Sequence, residues 1–330
     1  MMKPDPRIRH ALLLLATIAA AAAFPLVMQA LNYEYYISFG SRVMIYALAA
    51  TSLNLILGYG GMISFGHAAF VGAGAYTAGI LIVEGSSSAL IAWPLAMLVA
   101  GLLALVIGAI SLRTRGMYFI MITLAFAQMI YFITVSMKAY GGEEGLALPA
   151  RPAVPFIGIK DDLGLYYVIL LLLCATIYLI NRIISSRFGR VLEATRENEI
   201  RMEAIGYPTL RYKLAAFVIA GAFGGLAGAL LANQNNFVNP SIMHWTKSGT
   251  LMIMVILGGV RHRYGGVVGA LVLLGLEDLI AHVRIDWLEQ IYPNYAQHSM
   301  LGVGIILLII VLYAPQGIAG LFRRRRKSND

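Results

Sequence analysis

Long apolar stretches alternate with short polar connections along almost the whole chain. A helix needs about 20 apolar residues to cross the roughly 30 Å hydrocarbon core of a bilayer. Because lipid leaves the backbone to satisfy its own hydrogen bonds, such stretches form helices, and the sequence lacks the short alternating strands of a membrane barrel. The pattern predicts an all-α, polytopic integral membrane bundle. Its ten predicted segments are residues 10–30, 40–57, 62–83, 89–110, 117–137, 164–181, 214–232, 248–260, 265–283 and 299–314.

Composition agrees with a membrane protein, and the placement of charge predicts its orientation. Of the 330 residues, 59% are hydrophobic and 12% are charged, which is about half the charged share of a soluble domain. Cytoplasmic connections are enriched in Lys and Arg, so we expect both termini in the cytoplasm. A cleaved signal peptide at residues 1–30 is the less favoured alternative, because its apolar run is long for a signal. The basic clusters on the predicted cytoplasmic side are Lys3 to Arg9, Arg113 to Arg115, Arg182 to Lys213, Arg261 to Arg263 and Arg323 to Lys327.

Three polar regions stand out within what we predict to be a single membrane domain spanning residues 1–330. Residues 138–162 contain Pro149, Pro152 and Pro155 and are predicted to form an extracytoplasmic loop. Residues 182–213 carry charges at helical spacing and are predicted to form a cytoplasmic loop. The basic residues 315–330 are predicted to form a cytoplasmic tail.

Motifs for enzymatic chemistry are missing from the sequence. The dipeptide Gly-Lys never occurs, so the chain has no Walker loop for ATP. Its six histidines show no metal-binding spacing, its one cysteine, Cys174, lies in an apolar run, and no G-x-S-x-G elbow is present. We therefore expect neither an enzyme nor a cofactor or metal site. Acidic residues are almost missing from the predicted spans, where Glu277 and Asp278 form the one internal pair, which disfavours a proton-coupled carrier.

The stretch GYGGMISFGHAAFVGAGAY, residues 58–76, is a weak helix former between two apolar runs. We expect Asn54 and the glycines that follow it to break one helix, and the next helix to resume at Met62 with Ser64 and His67 in its first two turns. A helix start at membrane depth presents free N–H groups and a partial positive charge to a solute oxygen. The third segment, rich in glycine, and the short eighth segment are both candidates for broken or re-entrant helices.

A second run of small residues lies on AFVIAGAFGGLAGALLANQNNF, residues 216–237. Small residues four apart let helix backbones approach closely, and the amides that follow can both donate and accept hydrogen bonds for a polar solute. Two glycine-lined segments in separate halves of the chain are typical of a transport path. We predict a substrate path at Asn54, Ser64, His67, Asn233, Gln234 and Asn235, and helix packing at Gly72, Gly79, Gly221, Gly225 and Gly228.

Several motifs, in order, resemble one transporter family. They include LNLILGYGGMISFGHAAFVGAGAYTAGIL (53–81), RGMYFIMITLAFAQMI (115–130), GGEEGLALP (141–149), GRVLEATRENEIRMEAIGYPTLRYKLAAFVIAGAFGGLAGALLA (189–232) and APQGIAGLF (314–322). The chain is similar over about residues 42–322 to the membrane permease subunits of branched-chain amino-acid ABC importers, LivM type. Urea and short-amide permeases look similar as well.

The resemblance implies a bacterial inner-membrane permease with partners. These are a homologous permease subunit, two cytoplasmic ABC ATPase subunits and a periplasmic solute-binding protein. The resemblance also implies that residues 189–206 form the coupling helix that docks on an ATPase, and that the outer loop with Glu143 and Glu144 meets the binding protein. The predicted ATPase-coupling residues are Glu193, Ala194, Arg196, Glu197, Arg201, Glu203, Ala204 and Gly206.

Two features depart from the family pattern. Glu203 and Ala204 stand only three and two residues before Gly206, unlike the importer pattern E-A-A-x-x-x-G. Arg261 and His262 stand where relatives often have Gly-Ser or Gly-Thr, and they fit a cytoplasmic turn.

The sequence favours a permease half that moves a branched-chain amino acid inward, driven by ATP hydrolysis in partner subunits. A urea or short-amide permease is the first alternative, and a stand-alone carrier or channel is the second. A carrier predicts transport by this chain alone, sensitive to Glu277 or Asp278.

Overall fold

The computed structural model describes residues 6–85, 88–149, 151 and 161–282, together with positions 304, 306–308, 310, 312, 317, 318 and 320. Side chains are described from residue 16 onward, except at 281 and 282. Most of the tenth predicted segment, most of the basic tail, and Pro152 and Pro155 of the predicted outer loop lie outside the described residues.

Helices dominate the described part of the chain, in agreement with the predicted fold class. A π-helical turn at Leu55–Tyr59 extends α2 by five residues. The helices are α1 Pro6–Ala30, α2 Glu34–Asn54, α3 His67–Val83, α4 Ala89–Ser111, α5 Met117–Ser136, α6 Asp162–Ser185, α7 Arg187–Glu197, α8 Glu199–Ala204, α9 Thr209–Asn235, α10 Trp245–Gly258 and α11 Gly265–His282.

Five of the described helical stretches are long and apolar enough to cross a membrane, judged by length and composition. Three further apolar helices are shorter, Ala16–Ala30, His67–Val83 and Trp245–Gly258. The polytopic helical bundle is thus confirmed, while the orientation of the termini stays a prediction. The five long stretches are Glu34–Tyr59, Ala89–Ser111, Met117–Ser136, Asp162–Ser185 and Thr209–Asn235.

Helix α9 is the centre of the bundle, because its small residues admit a neighbour on each side. A Cβ added at Gly225 would overlap the Cβ of Ala100 on α4, and one added at Gly228 would overlap the Val71 carbonyl oxygen on α3. Gly221 likewise packs against α4 at Ala104. Backbone approach this close is the usual result of small residues spaced four apart.

Gly72 and Gly79, which we expected at a helix–helix contact, pack instead against irregular segments. A Cβ at Gly72 would overlap the side chain of Met243, in the 3₁₀ turn Pro240–Met243 that follows α9. A Cβ at Gly79 would lie 3.2 Å from Leu146, in the short strand β1 (Leu146–Ala147). Because these segments cover α3 from the side, α3 is enclosed even though it is short.

The two ends of the bundle differ in structure. At one end, β1 pairs antiparallel with β2 (Phe237–Val238), so the predicted outer loop joins the segment after α9. We call this the β end. At the opposite end, which we call the α7 end, α7 and α8 lie against the connections between the long helices. Ion pairs join these helices to two of those connections, at Arg115 and Arg261.

Two differences from the predicted helices concern the glycine-rich stretch and residues 189–206. Helix α3 begins at His67 rather than at Met62, because residues 61–64 form no regular secondary structure and residues 65–66 form a turn. The single helix expected over residues 189–206 is two helices, since Asn198 adopts an extended backbone and caps α8 by accepting the Arg201 N–H at 2.9 Å. Gly206, with φ of 89°, ends this region as expected of a glycine in the left-handed conformation.

Candidate functional site

Residues 60–66 form the glycine-rich link between α2 and α3, which we call the re-entrant link because the chain reverses its direction here. The Met62 N–H donates to the Ile56 carbonyl at 2.9 Å, so the chain folds back on the π-helical turn. Gly61 makes this reversal possible with φ of 68°. Gly58 allows the close packing below it, because a Cβ there would overlap the Asn54 side chain. The chain therefore reverses its direction here through a defined hydrogen bond and a glycine in the left-handed conformation.

The start of α3 is buried in the bundle, and its backbone donors are largely satisfied by the protein itself. The Ala68 N–H donates to Ser248 Oγ on α10 at 2.9 Å, and the Phe65 N–H donates to Thr123 Oγ1 on α5 at 3.3 Å. Ser64 Oγ accepts the Gly66 N–H at 3.1 Å. The expectation of free N–H groups for a solute is therefore wrong at Phe65, Gly66 and Ala68, because neighbouring hydroxyls satisfy them.

His67 is fully buried at the first position of α3. Its Nε2 lies 2.9 Å from Ser52 Oγ on α2, and its ring packs edge-on against Phe70. A Cβ added at Gly224 would lie 3.3 Å from Nε2, which places His67 at the middle of α9. Nδ1 has no hydrogen-bond partner among the described residues. One nitrogen of His67 thus fixes the ring, and the other stays open to a further partner.

The amide cluster at the end of α9 divides into different environments. Asn233 is fully buried, and neither amide atom has a partner within the described part of the chain. Gln234 donates from Nε2 to the Ser38 carbonyl of α2, while Asn235 is exposed. Asn233 lies nine residues beyond Gly224, about 13 Å farther along the helix axis. The structure therefore puts His67 and Asn233 on one packed pair of helices but at separate levels.

Asn54 has a structural role that the sequence did not indicate. Its Nδ2 donates to the His262 carbonyl at 2.9 Å, and its Oδ1 accepts the Arg261 N–H at 3.3 Å. Tyr59 adds a third bond, from its hydroxyl to the Arg261 carbonyl at 2.7 Å. Both amide atoms of Asn54 are used in this way, so Asn54 holds residues 259–264, and its place on the substrate path stays a prediction. We call residues 259–264 the α10–α11 turn.

Two cavities lie along this region. One, of about 30 Å³, lies between α2, α3, α9 and α10 and is lined mostly by apolar side chains. The other, of about 460 Å³, lies at the α7 end between the re-entrant link, the α4–α5 connection and the α7–α8 pair. It is lined by Arg115, Arg196, Lys213 and Glu199 among others. The bundle is therefore closed at the level of His67 and open at the α7 end.

Helix α7 turns two of the predicted ATPase-coupling residues toward the bundle. Glu193 Oε1 lies 3.2 Å from Arg261 Nη2, and Arg196 donates from Nη1 to the Gly58 carbonyl of the π-helical turn. A Cβ added at Gly61 would lie 2.6 Å from the Arg196 side chain. Glu193 and Arg196 thus contact this chain's own re-entrant link and α10–α11 turn.

Helix α8 is held by its acidic residues and exposes its apolar ones. Glu199 pairs with Lys213 at 2.6 Å and with Arg115 at 3.4 Å. Ile200 and Ile205 are 71% and 61% exposed, which is high for isoleucine. Glu203 also contacts Arg115, at 3.5 Å. The remaining predicted coupling residues lie at or near the surface: Glu197, Arg201, Ala204 and Gly206 are exposed and Ala194 is half-buried.

Arg261 and Tyr59 belong to this region although the sequence pattern did not predict them as site residues. The signal was the segment GGVRHRYGG, where we predicted a departure from the family pattern at Arg261 and His262. Arg261 has φ of 69°, a conformation that non-glycine residues rarely adopt. Among the described residues, no cluster of His, Cys, Asp or Glu could hold a metal ion.

Comparison with known proteins points to one family. The model of the family described as "Branched-chain amino acid transport system / permease component" matches residues 35–312. The high-affinity branched-chain amino acid transport system permease protein LivM of Salmonella typhimurium is 27% identical, covering 97% of this chain and 77% of its own length. The probable LivM of Methanocaldococcus jannaschii is 27% identical, in an alignment that covers 83% of this chain and 90% of that protein. The probable LivH of M. jannaschii is 27% identical over 52% of each chain. No solved structure matches this chain.

Proposed function

Since the chain belongs to the family of permease components of branched-chain amino acid transport systems, we propose that it forms the membrane path through which an ABC importer moves a branched-chain amino acid. The observation that carries the proposal is the family match across residues 35–312, which includes both the re-entrant link and the α7–α8 pair. The chain is a multi-pass inner-membrane protein and is not an enzyme.

We propose that the chain works with ATPase subunits and a solute-binding protein, as permeases of ABC importers do, and with a homologous permease as the third kind of partner. The chain is similar to proteins named LivM and, over about half its length, to a protein named LivH. A pair of related permeases is consistent with this double similarity. The exposed Glu143 and Glu144, close to β1 at the β end, are our candidate contacts for the binding protein.

We propose that the α7 end faces the cytoplasm and carries the ATPase contact. Arg115, Arg196, Lys213 and Arg261 gather at this end, in accord with the enrichment of basic residues on the cytoplasmic side. Exposed apolar residues at the core of a contact are typical of protein interfaces. The ATPase-facing surface, which we call the α8 patch, consists of Ile200, Ala204 and Ile205.

We further propose that the path runs along the α3–α9 pair, past His67 and Asn233. Buried polar atoms are nearly always hydrogen-bonded, so the unpartnered Nδ1 of His67 and the amide of Asn233 are candidates for solute contact. Ser64 faces the same link, although its hydroxyl is occupied by Gly66. In this conformation the path is closed in the middle, because the cavity there is about 30 Å³. Alternating access would require α3 to move against α9.

The proposal predicts ATP-dependent leucine uptake only by the complete importer. The experiment measures radiolabelled leucine and urea uptake in sealed vesicles, first with this chain alone and then with its ATPases, sister permease and binding protein. Leucine uptake by the full set alone supports the proposal. If urea were the sole transported solute, the substrate would be urea or a short amide instead of a branched-chain amino acid. Uptake by this chain alone would show that it is a carrier or channel.

His67→Ala combined with Asn233→Ala is expected to lower leucine uptake by the complete importer about tenfold, which corresponds to about 1.4 kcal/mol. The reason is that the variant removes the two buried groups with open hydrogen-bonding positions. Asn181→Ala on α6 is the control, because its buried side-chain oxygen also has no partner among the described residues but lies on a helix outside the α3–α9 pair. Unchanged uptake by the double variant would show that the path lies elsewhere.

A further inference from the structure

We propose that Arg261 is a positioning residue that couples α7 to the re-entrant link, so that the α10–α11 turn is a second entry point for ATPase-driven motion. This inference rests on the proposed function. We call the Glu193–Arg261 ion pair and the Arg196–Gly58 hydrogen bond together the clasp.

The clasp joins one face of α7 to two separate parts of the bundle. Glu193 and Arg196 are three residues apart and therefore lie on the same side of the helix. Glu193 reaches the α10–α11 turn, while Arg196 reaches the carbonyl of Gly58 and packs over Gly61. A shift or rotation of α7 must therefore act on both parts at once.

The α10–α11 turn and the π-helical turn form one unit without help from α7. Asn54, Tyr59 and the backbone of Arg261 and His262 share three hydrogen bonds of 2.7 to 3.3 Å. Gly58 is also packed against this unit, since a Cβ there would lie 3.0 Å from the Arg261 nitrogen. Force applied to Arg261 is consequently transmitted to α2 at Asn54.

This unit is adjacent to the start of α3. Ser52, two residues before Asn54 on α2, lies 2.9 Å from Nε2 of the buried His67. The re-entrant link joins the same unit to α3 along the chain, from Gly58 to His67. Movement of the clasped unit thus reaches His67 by two routes, through the chain and through the Ser52 contact.

Backbone strain at Arg261 supports a role for its side chain. Left-handed conformations are costly for residues other than glycine and persist where surrounding contacts hold them, often at functional positions. Both backbone groups of Arg261 are bonded, and its side chain reaches Glu193. Glycine would take the same backbone conformation without strain but would lose the bond to α7.

The ion pair does little for stability, which makes the inference testable. The Arg261 and Glu193 side chains are 46% and 33% exposed, and exposed pairs of this kind add little to folding. A change in transport without a change in folding therefore reports on coupling. The readout that separates the two is the number of leucine molecules transported per ATP hydrolysed by the complete importer.

Glu193→Arg and Arg261→Glu are each expected to lower this ratio about fivefold or more. The double variant that combines the two changes, and so exchanges the two charges, is expected to restore the ratio to within about twofold of the wild-type value. Glu34→Arg, the same change of charge at the exposed start of α2, is the matched control. ATPase subunits should co-purify equally with every variant, as measured by size-exclusion chromatography.

Three results would overturn the inference. The first is an unchanged ratio in both single variants, and the second is a lowered ratio that the double variant does not restore. The third is loss of the ATPase from the Glu193→Arg complex, which would place Glu193 in docking rather than in transmission. A wild-type complex that fails to transport leucine with ATP would instead refute the proposed function.

Discussion

Gly228→Ala is expected to lower the free energy of unfolding by about 3 kcal/mol, because the added methyl group has no room between α9 and α3. A Cβ at this position overlaps the Val71 carbonyl oxygen and lies 2.9 Å from the Ala75 nitrogen. Both are backbone atoms of a helix, so a side-chain rotation cannot relieve the overlap. The measurement is the thermal unfolding midpoint of the purified protein in detergent.

Gly275→Ala on α11 is the matched control for this variant. A Cβ at Gly275 meets no described atom within 4 Å, so alanine there should stabilise the helix by about 0.5–1 kcal/mol. If Gly228→Ala melts at the same temperature as the wild type, then α3 and α9 are not in backbone contact. The close packing of the two central helices would then be refuted.

Ile200→Glu combined with Ile205→Glu is expected to reduce leucine uptake by the complete importer about 100-fold, because central apolar contacts dominate the energy of an interface. Both residues belong to the α8 patch and are 71% and 61% exposed. Substitutions at exposed positions usually change stability by no more than about 0.5 kcal/mol. The protein should therefore stay folded while its ATPase subunit no longer co-purifies with it.

The conservative pair Ile200→Leu and Ile205→Leu is the control, because it keeps an apolar surface of similar size. Uptake and co-purification should both be retained in this pair. Retention of the ATPase by the glutamate variant would show that the ATPase contacts another surface of the α7 end. A lower unfolding midpoint for the glutamate variant would show that these isoleucines are buried rather than exposed.

Local pattern predicted most of the helical segments of the bundle. Eight predicted segments correspond to α1, α2, α4, α5, α6, α9, α10 and α11 within a few residues at most ends. Each segment was recognisable because hydrophobicity over about 20 residues is a local property. The predicted small-residue stripe on α9 lies between two helices in the structure, since only small side chains allow such backbone contact. The family motifs indicated the region of α7 and α8 but not the break at Asn198.

The candidate site was less predictable, because a residue type does not specify its partner. Asn54 and His67 are both polar residues in a glycine-rich region, and we placed both on the path. The structure uses both amide atoms of Asn54 in the α10–α11 turn and leaves one nitrogen of His67 without a partner among the described residues. Glu193 and Arg196, which we expected to face an ATPase, contact the bundle.

The apolar pattern and the glycine spacing were sufficient for the membrane class, the helical segments and the tight packing of α9, because these follow from residues close together in sequence. The tertiary structure alone decided the reversal before α3, the roles of Asn54 and Arg261, and the exposed face of α8. The hydrogen bond from Asn54 to His262 joins positions 208 residues apart. Contacts over such a distance depend on how the whole bundle packs, and no local pattern specifies them.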